Sequence, residues 1–102
     1  MATLVVLYNK PKNAADFDSH YFNKHIPLAK KIPGLRKYEV SNGPVGTPAG
    51  PSNYHLVALL TFDSMADIGA AFASPEGKAT AGDLANFAQA GAELLICDTR
   101  PV

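Results

Sequence analysis

Hydrophobic positions change period several times along the chain, and each change marks an element. Residues 3–8 are apolar at nearly every position and include the adjacent Val5 and Val6, the pattern of a strand buried on both faces. Residues 9–13, with Pro11, end it. From Ala14 onward Phe17, Tyr21, His25 and Leu28 recur three or four apart while Asp16, Asp18, Asn23 and Lys24 take other faces, which predicts a first helix. Pro27 has no N–H for an interior helical bond, so a kink or restart is expected near His25, with a second short piece reaching Ile32 and stopping at Gly34.

Residues 35–41 alternate and contain Tyr38 and Val40, the signature of a second strand with a charged, partly exposed face. Residues 42–52 are rich in Gly and Pro without periodicity, and read as a mobile loop. Their glycines do not form G-x-G-x-x-G and open no helix, which argues against phosphate binding. Residues 54–62 form the longest apolar run and predict a central strand. Ser64, three residues before Asp67, resembles a capping box for a short helix through Ala73. Ser74 and Pro75 repeat the cap and begin a helix to about Gln89, with Ala79, Leu84, Phe87 and Ala88 as its inner face. Gly77 and Gly82 weaken that helix by about 1 kcal/mol each relative to Ala, so packing must hold it. A last strand covers residues 92–97.

The order βαββαβ predicts an α+β, ferredoxin-like fold, an antiparallel four-stranded sheet with helices on one face, as a single domain over residues 1–102. Helices on one face leave the other bare. Because residues 3–8 and 54–62 are almost wholly apolar, the bare face would expose a large hydrophobic patch unless a second copy covers it, and a homodimer is expected.

Length and charge sharpen this picture. At 102 residues, a chain alone buries only about 60–65% of the surface it exposes when unfolded. Nine basic and nine acidic residues cancel, which favours neither nucleic acid nor an anionic membrane as partner. The cancellation is uneven: residues 1–51 carry seven Lys/Arg and three Asp/Glu, and residues 52–102 carry two and six. Solubility accounts for such a mix, and so would complementary surfaces in a dimer. The single cysteine, Cys97, forms no internal disulfide and suggests a reducing compartment. No apolar run approaches the roughly 20 residues of a membrane span, and residues 1–4 show no secretory pattern, so a cytoplasmic location is expected.

The stretch most specific to this chain is residues 21–35. Tyr21 and His25 lead into Ile26, Pro27 and Leu28, and after a short basic run come Ile32, Pro33, Gly34 and Leu35. This H-x-P-L followed by P-G-L closely resembles the signature of the EthD family, small proteins associated with breakdown of organic compounds, and the resemblance covers nearly the whole chain. It implies the dimeric α+β barrel, in which the sheets of two copies close into one barrel. Similar barrels include lactone isomerases, polyketide cyclases and cofactor-free monooxygenases, so isomerisation, cyclisation or oxygenation without a cofactor is open by analogy.

Candidate chemistry centres on His25. It follows Tyr21 by one helical turn, and a histidine near neutral pH serves as base or acid without extreme tuning. A capping or hydrogen-bonding role at a kinked helix end is the competing account, in which case its loss costs about 0.5–2 kcal/mol. Beside Pro27 it is expected to bury little core area. Tyr21, Tyr38 and Tyr54 are candidate ligand-binding phenols, each also explicable as a core or interface aromatic. Tyr54 and His55 point opposite ways on a strand, so at most one enters a central cavity. His20 lacks a matching helical spacing to His25 and is assigned to the surface. The three histidines lack H-x-H or H-x-x-x-H spacing and make no metal site; Cys97 beside Asp98 is a poor nucleophile; no G-x-S-x-G elbow is present. The reading is a cofactor-independent enzyme or binder of a small, apolar, oxygenated compound, with His25 as acid/base. The alternative is a non-catalytic binding or accessory protein of an oxygenase pathway.

Overall fold

The computed structural model describes residues 1–102. Its elements are β1 (Ala2–Asn9), α1 (Ala14–His20), a π-helical turn (Tyr21–His25), α2 (Ile26–Ala29), β2 (Lys37–Val40), β3 (Gly46–Thr47), β4 (Gly50–Pro51), β5 (Tyr54–Phe62), α3 (Met65–Ala73), α4 (Pro75–Phe87) and β6 (Ala92–Asp98). Strands β2-β5-β1-β6 form one antiparallel sheet in that order. This is the ferredoxin-like α+β arrangement. No helix is long and apolar enough to cross a membrane.

Alternation along the strands sets the two faces. On β1, Ala2, Leu4, Val6 and Tyr8 are buried, and their partners Phe62, Leu60, Ala58 and Leu56 on β5 are buried with them. Phe17, Tyr21, Ala29, Ile32, Ile68, Ala71 and Phe87 from the helical side complete the core. The opposite face carries Val5, Leu7, Val57, Leu59 and Leu95, with Leu59 37% and Leu95 53% exposed and no helix over them. The central strands therefore bury one face in the core rather than both, and the second face stays apolar without cover.

Local structure departs from expectation in three places. Residues 42–52 are not a featureless loop: β3 and β4 pair as a small hairpin, with Thr47 Oγ1 donating to Gly50 O at 2.9 Å. In α4 the inward positions are Gly77, Thr80, Asp83 and Phe87, while Ala79 is exposed, so the small-residue face assigned from sequence lies partly toward solvent. Gly77 is required by geometry: a Cβ there would collide with the Ala71 carbonyl oxygen, where α4 crosses the end of α3. Ser64 and Ser74 cap α3 and α4 through Asp67 N and Gly77 N, both at 3.1 Å.

Candidate active site

The break anticipated at Pro27 takes the form of a widened turn. In a regular α-helix the Pro27 ring would collide with the carbonyl four residues earlier, at Asn23. The helix relieves this by switching to i→i+5 bonding, with Ile26 N–H donating to Tyr21 O. Backbone angles stay helical throughout, so α1, the π-turn and α2 run on without a change of direction in φ and ψ. The side chains respond. Residues five apart, about 140° apart around an α-helix, come to lie one turn apart. His20 and His25 are five apart.

Both imidazoles therefore converge on Asp83 of α4. His25 Nδ1 lies 2.9 Å from Asp83 Oδ2, and His20 Nε2 lies 2.9 and 3.0 Å from Oδ1 and Oδ2. Asn86 Nδ2 donates to Oδ1 at 2.9 Å, so the carboxylate accepts from three side chains. Burial pushes the Asp83 carboxyl up, but the donors Asn86, His25 and His20 outweigh it and hold the group below its ordinary value. It is the anion of the site. His25 is held below its ordinary value of 6.5 chiefly by burial, against the pull of Asp83, with a charge on His20 also disfavouring its protonation. A neutral His25 facing an anionic carboxylate through Nδ1 must carry its proton on Nδ1, which leaves a lone pair on Nε2.

That lone pair opens onto a cavity. Every fully buried side-chain nitrogen and oxygen has a partner, and His25 Nε2 has none, so it retains accessible surface; Tyr8, whose hydroxyl meets that of Tyr21, lies beside it. Each lines a cavity of about 60 Å³ between the inner face of the sheet and the helices, with 11 of its 13 lining residues hydrophobic. The wall includes Leu4, Val6, Ala29, Tyr38, Ala58, Leu60, Phe72 and Leu84. Its mouth lies between β6 and α4, where Leu94 and Ala81 are exposed. Tyr21 and Tyr38 join hydroxyls at 2.7 Å. All three phenols, Tyr8, Tyr21 and Tyr38, are pushed above their ordinary value mainly by burial, so they enter chemistry as O–H groups.

The site thus gathers His25, Tyr21 and Tyr38 from the sequence-predicted set. Tyr54 lies elsewhere, with His55 on a separate groove beside Lys10, Phe22 and residues 43–46. His55 binds Asp18 at 2.8 Å and meets Phe17 edge-on at 4.9 Å. His20, assigned to the surface, is half-buried, stacked on Phe87 at 5.2 Å and bonded to Asp83; the π-turn supplies the match that α-helical spacing denies. His25, expected to bury little area, is 4% exposed and packed between Tyr21 and Phe87. Tyr8 and Asp83 lie outside the sequence-predicted set. Tyr8 ends an apolar strand like any core aromatic, and Asp83 is hidden by the face that the apolar pattern selects for α4. Its signal is the 77/80/83/87 spacing, which sets Asp83 in line with Phe87. No group of three His, Cys, Asp or Glu side chains is arranged to hold a metal ion; His20, His25 and Asp83 spend their facing atoms on one another.

Comparison with known proteins assigns the architecture. The family model described as the EthD domain matches residues 9–91. The chain belongs to the EthD family. An ethyl tert-butyl ether degradation (EthD) family protein of Bacillus halodurans shares 38% identity with this EthD protein over 98% of this chain and 99% of the other, with a TM-score of 0.90. An uncharacterised 11.0 kDa protein from the thcB-thcC intergenic region of Rhodococcus erythropolis is 41% identical over 100% of this chain and 98% of its own length. SnoaB, a cofactor-independent oxygenase from Streptomyces nogalater, has the same fold at 17% identity, with a TM-score of 0.69 over 99% of this chain and 94% of its own. The EthD-domain match includes every member of the His20–Asp83–His25 cluster and Tyr38, while Tyr8 falls just before it.

Proposed function

We propose that this EthD protein takes a small, apolar, oxygenated compound, phenol- or enol-like, into the cavity and removes its proton with His25. The observation that carries this is the Asp83–His25 pair, bonded through Nδ1 with Nε2 open to an apolar cavity beside phenolic hydroxyls. His25 Nε2 takes the proton; Asp83 fixes the tautomer and stabilises the imidazolium; the Tyr38 and Tyr8 hydroxyls donate to the oxygen that gains charge. Developing charge in a largely apolar wall makes those few donors count for more than they would in water. An enolate or phenolate held this way is the common starting point for isomerisation, cyclisation or cofactor-independent oxygenation, the last being the activity named for SnoaB.

Cavities that take a benzene ring are about 150 Å³, larger than the roughly 60 Å³ here. A ring therefore enters oxygen first and keeps its body toward the Leu94 mouth. The same small volume supports the second reading, a binding or accessory protein of an oxygenase pathway that holds a ligand without turning it over. The protein is proposed to work as one EthD unit in the cytoplasm, paired with a second copy through the face of Val5, Leu7, Val57, Leu59 and Leu95 so that two sheets close a barrel.

A nitrophenol tests the assignment, because its absorbance reports its protonation state. Bound to the wild type it is expected to absorb as the phenolate below the pH at which it ionises in water, and His25→Gln is expected to abolish the change while binding persists. Binding without any His25-dependent ionisation would refute the proton-transfer reading. Dimerisation is checked by sedimentation, where the wild type should exceed the 10.8 kDa of one chain and Leu95→Lys should weaken association.

A further inference from the structure

We infer that His20 and His25 act as a coupled pair across Asp83, the solvent-side imidazole of His20 setting how readily His25 takes a proton inside the cavity. His20 is then a positioning and tuning residue, not one that touches the ligand. The inference rests on the function proposed above for its chemical meaning, though the coupling itself is a property of the empty protein.

Two spaces meet at Asp83. His25, with 5% of its side chain exposed, lines the inner cavity. His20, with 21% exposed, lines an open polar groove of about 820 Å³ on the other side, where Lys12, Asp16, Asn23 and Lys24 also stand. Phe87 separates the spaces, stacked on His20 and tilted against His25 at 4.7 Å. The polar connection through that wall is the Asp83 carboxylate, whose Oδ2 is shared by His20 Nε2 at 3.0 Å and His25 Nδ1 at 2.9 Å. His20 Nδ1 has no protein partner, so it is the atom that exchanges protons with groove water.

One carboxylate neutralises one imidazolium. The other groups facing the pair do not change that count: Tyr21, Tyr8 and Tyr38 stay protonated around His25, and Lys12, Lys24 and Asp16 around the groove are exposed and screened. A proton on His20 therefore makes a second one on His25 costlier. Conversely, when a ligand O–H passes its proton to His25 Nε2 and becomes an anion, a charged His20 can release its Nδ1 proton to groove water. The protein side of the site then again sets one imidazolium against one carboxylate, with the ligand anion beside His25 and the released proton in groove water, and no water need enter the cavity. The bonded nitrogens lie at most about 6 Å apart through Asp83. At effective dielectric constants between about 20 and 80, that separation corresponds to a mutual effect of roughly 0.5–2 pH units.

The test is an NMR titration of the imidazole nitrogens in ligand-free protein. In the wild type, the His25 resonances should show a second inflection at the pH where His20 titrates. In His20→Gln, which keeps an N–H donor for Asp83 but carries no charge, that inflection should vanish and the His25 midpoint should rise by about 0.5–2 pH units. A role limited to holding Asp83 by a hydrogen bond would leave the midpoint where it is. Identical His25 curves in the two proteins, or a wild-type His25 curve without the second inflection, would overturn the coupling. The wild-type measurement stands even if the variant fails to fold. Coupling seen alongside a nitrophenol that never ionises on His25 would sink the proposed function and leave the coupling intact; ionisation without coupling would do the reverse.

Discussion

Replacing Asp83 by Asn changes almost no volume and alters the proton arrangement of the whole site. The wild-type carboxylate accepts from His25, His20 and Asn86 at 2.9–3.0 Å. Asn86 Nδ2 holds an acceptor at the Oδ1 position, so the carbonyl of the introduced side chain settles there and its amide nitrogen takes the Oδ2 position against His25. An N–H aimed at Nδ1 forces His25 to accept, which moves its proton to Nε2. The cavity then meets a donor where it had a base. Hydrogen bonds to charged groups contribute about 1.5–3 kcal/mol each. Re-pairing recovers part of this, because the new amide donates to His25 and the carbonyl still accepts from Asn86. The net cost is about 2 kcal/mol, one charge-assisted bond. For a domain of this size that is a fall in Tm of roughly 8–16 °C. Loss of the base should lower ligand proton transfer by about 10²- to 10⁴-fold. Calorimetry gives the first quantity, and the nitrogen shifts of the His25 ring at neutral pH identify its tautomer. An Asp83→Asn protein that keeps the wild-type Tm and an Nδ1–H His25 would refute the reasoning.

Gly77→Ala and Gly82→Ala should move in opposite directions although both sit inside α4. The first drives a Cβ into the Ala71 and Phe72 backbone and should lose about 1–3 kcal/mol after offsetting its helix propensity, whereas the second meets nothing within 4 Å and should gain about 0.5–1 kcal/mol; urea melts compare them. Stability should be flat above the ordinary histidine value of 6.5 and fall as pH drops below it, because the His25 value is depressed by folding and the unfolded chain takes its proton first; urea midpoints from about pH 8 to about pH 5 that do not decline would contradict the buried neutral imidazole. Tyr38→Phe removes the 2.7 Å partner of the Tyr21 hydroxyl, which then turns to Tyr8, and should cost about 0.5–1.5 kcal/mol, read as a lowered Tm together with weaker binding of a nitrophenol.

The strands and the capped helices are legible in the sequence because their signals are local: Ser64 and Ser74 cap where their sequences predict, and the apolar runs become β1 and β5. The family is legible from the H-x-P-L and P-G-L segment. The full site is not, for two physical reasons. Periodicity analysis assumes 100° per residue, so a π-turn hides any partnership between residues five apart, and His20 drops out of view. Asp83 escapes differently. A charged residue on an amphipathic helix is assigned to solvent unless a buried partner is known, and its partners are 58 and 63 residues away in sequence. Burial of Gly77 follows from a close approach between α3 and α4 that no pattern within α4 announces.

The π-turn also makes the segment between Asn13 and Lys30 one residue longer than its span requires. A single extra residue looped into a helix leaves both flanks in register, so chain length there is independent of where α1 starts and α2 ends. Phe22, Asn23 and Lys24 are exposed and touch neither Asp83 nor the cavity. Excising one of them would leave His20 and His25 four apart, one turn apart in ordinary α-helix, but would return the Pro27 ring to a clash with the carbonyl four residues before it. The extra residue is therefore what lets Pro27 follow His25 inside the helix while His20 and His25 still share the face toward Asp83. A one-residue deletion at this point and a replacement of Pro27 are thus linked changes, the one tolerable only with the other.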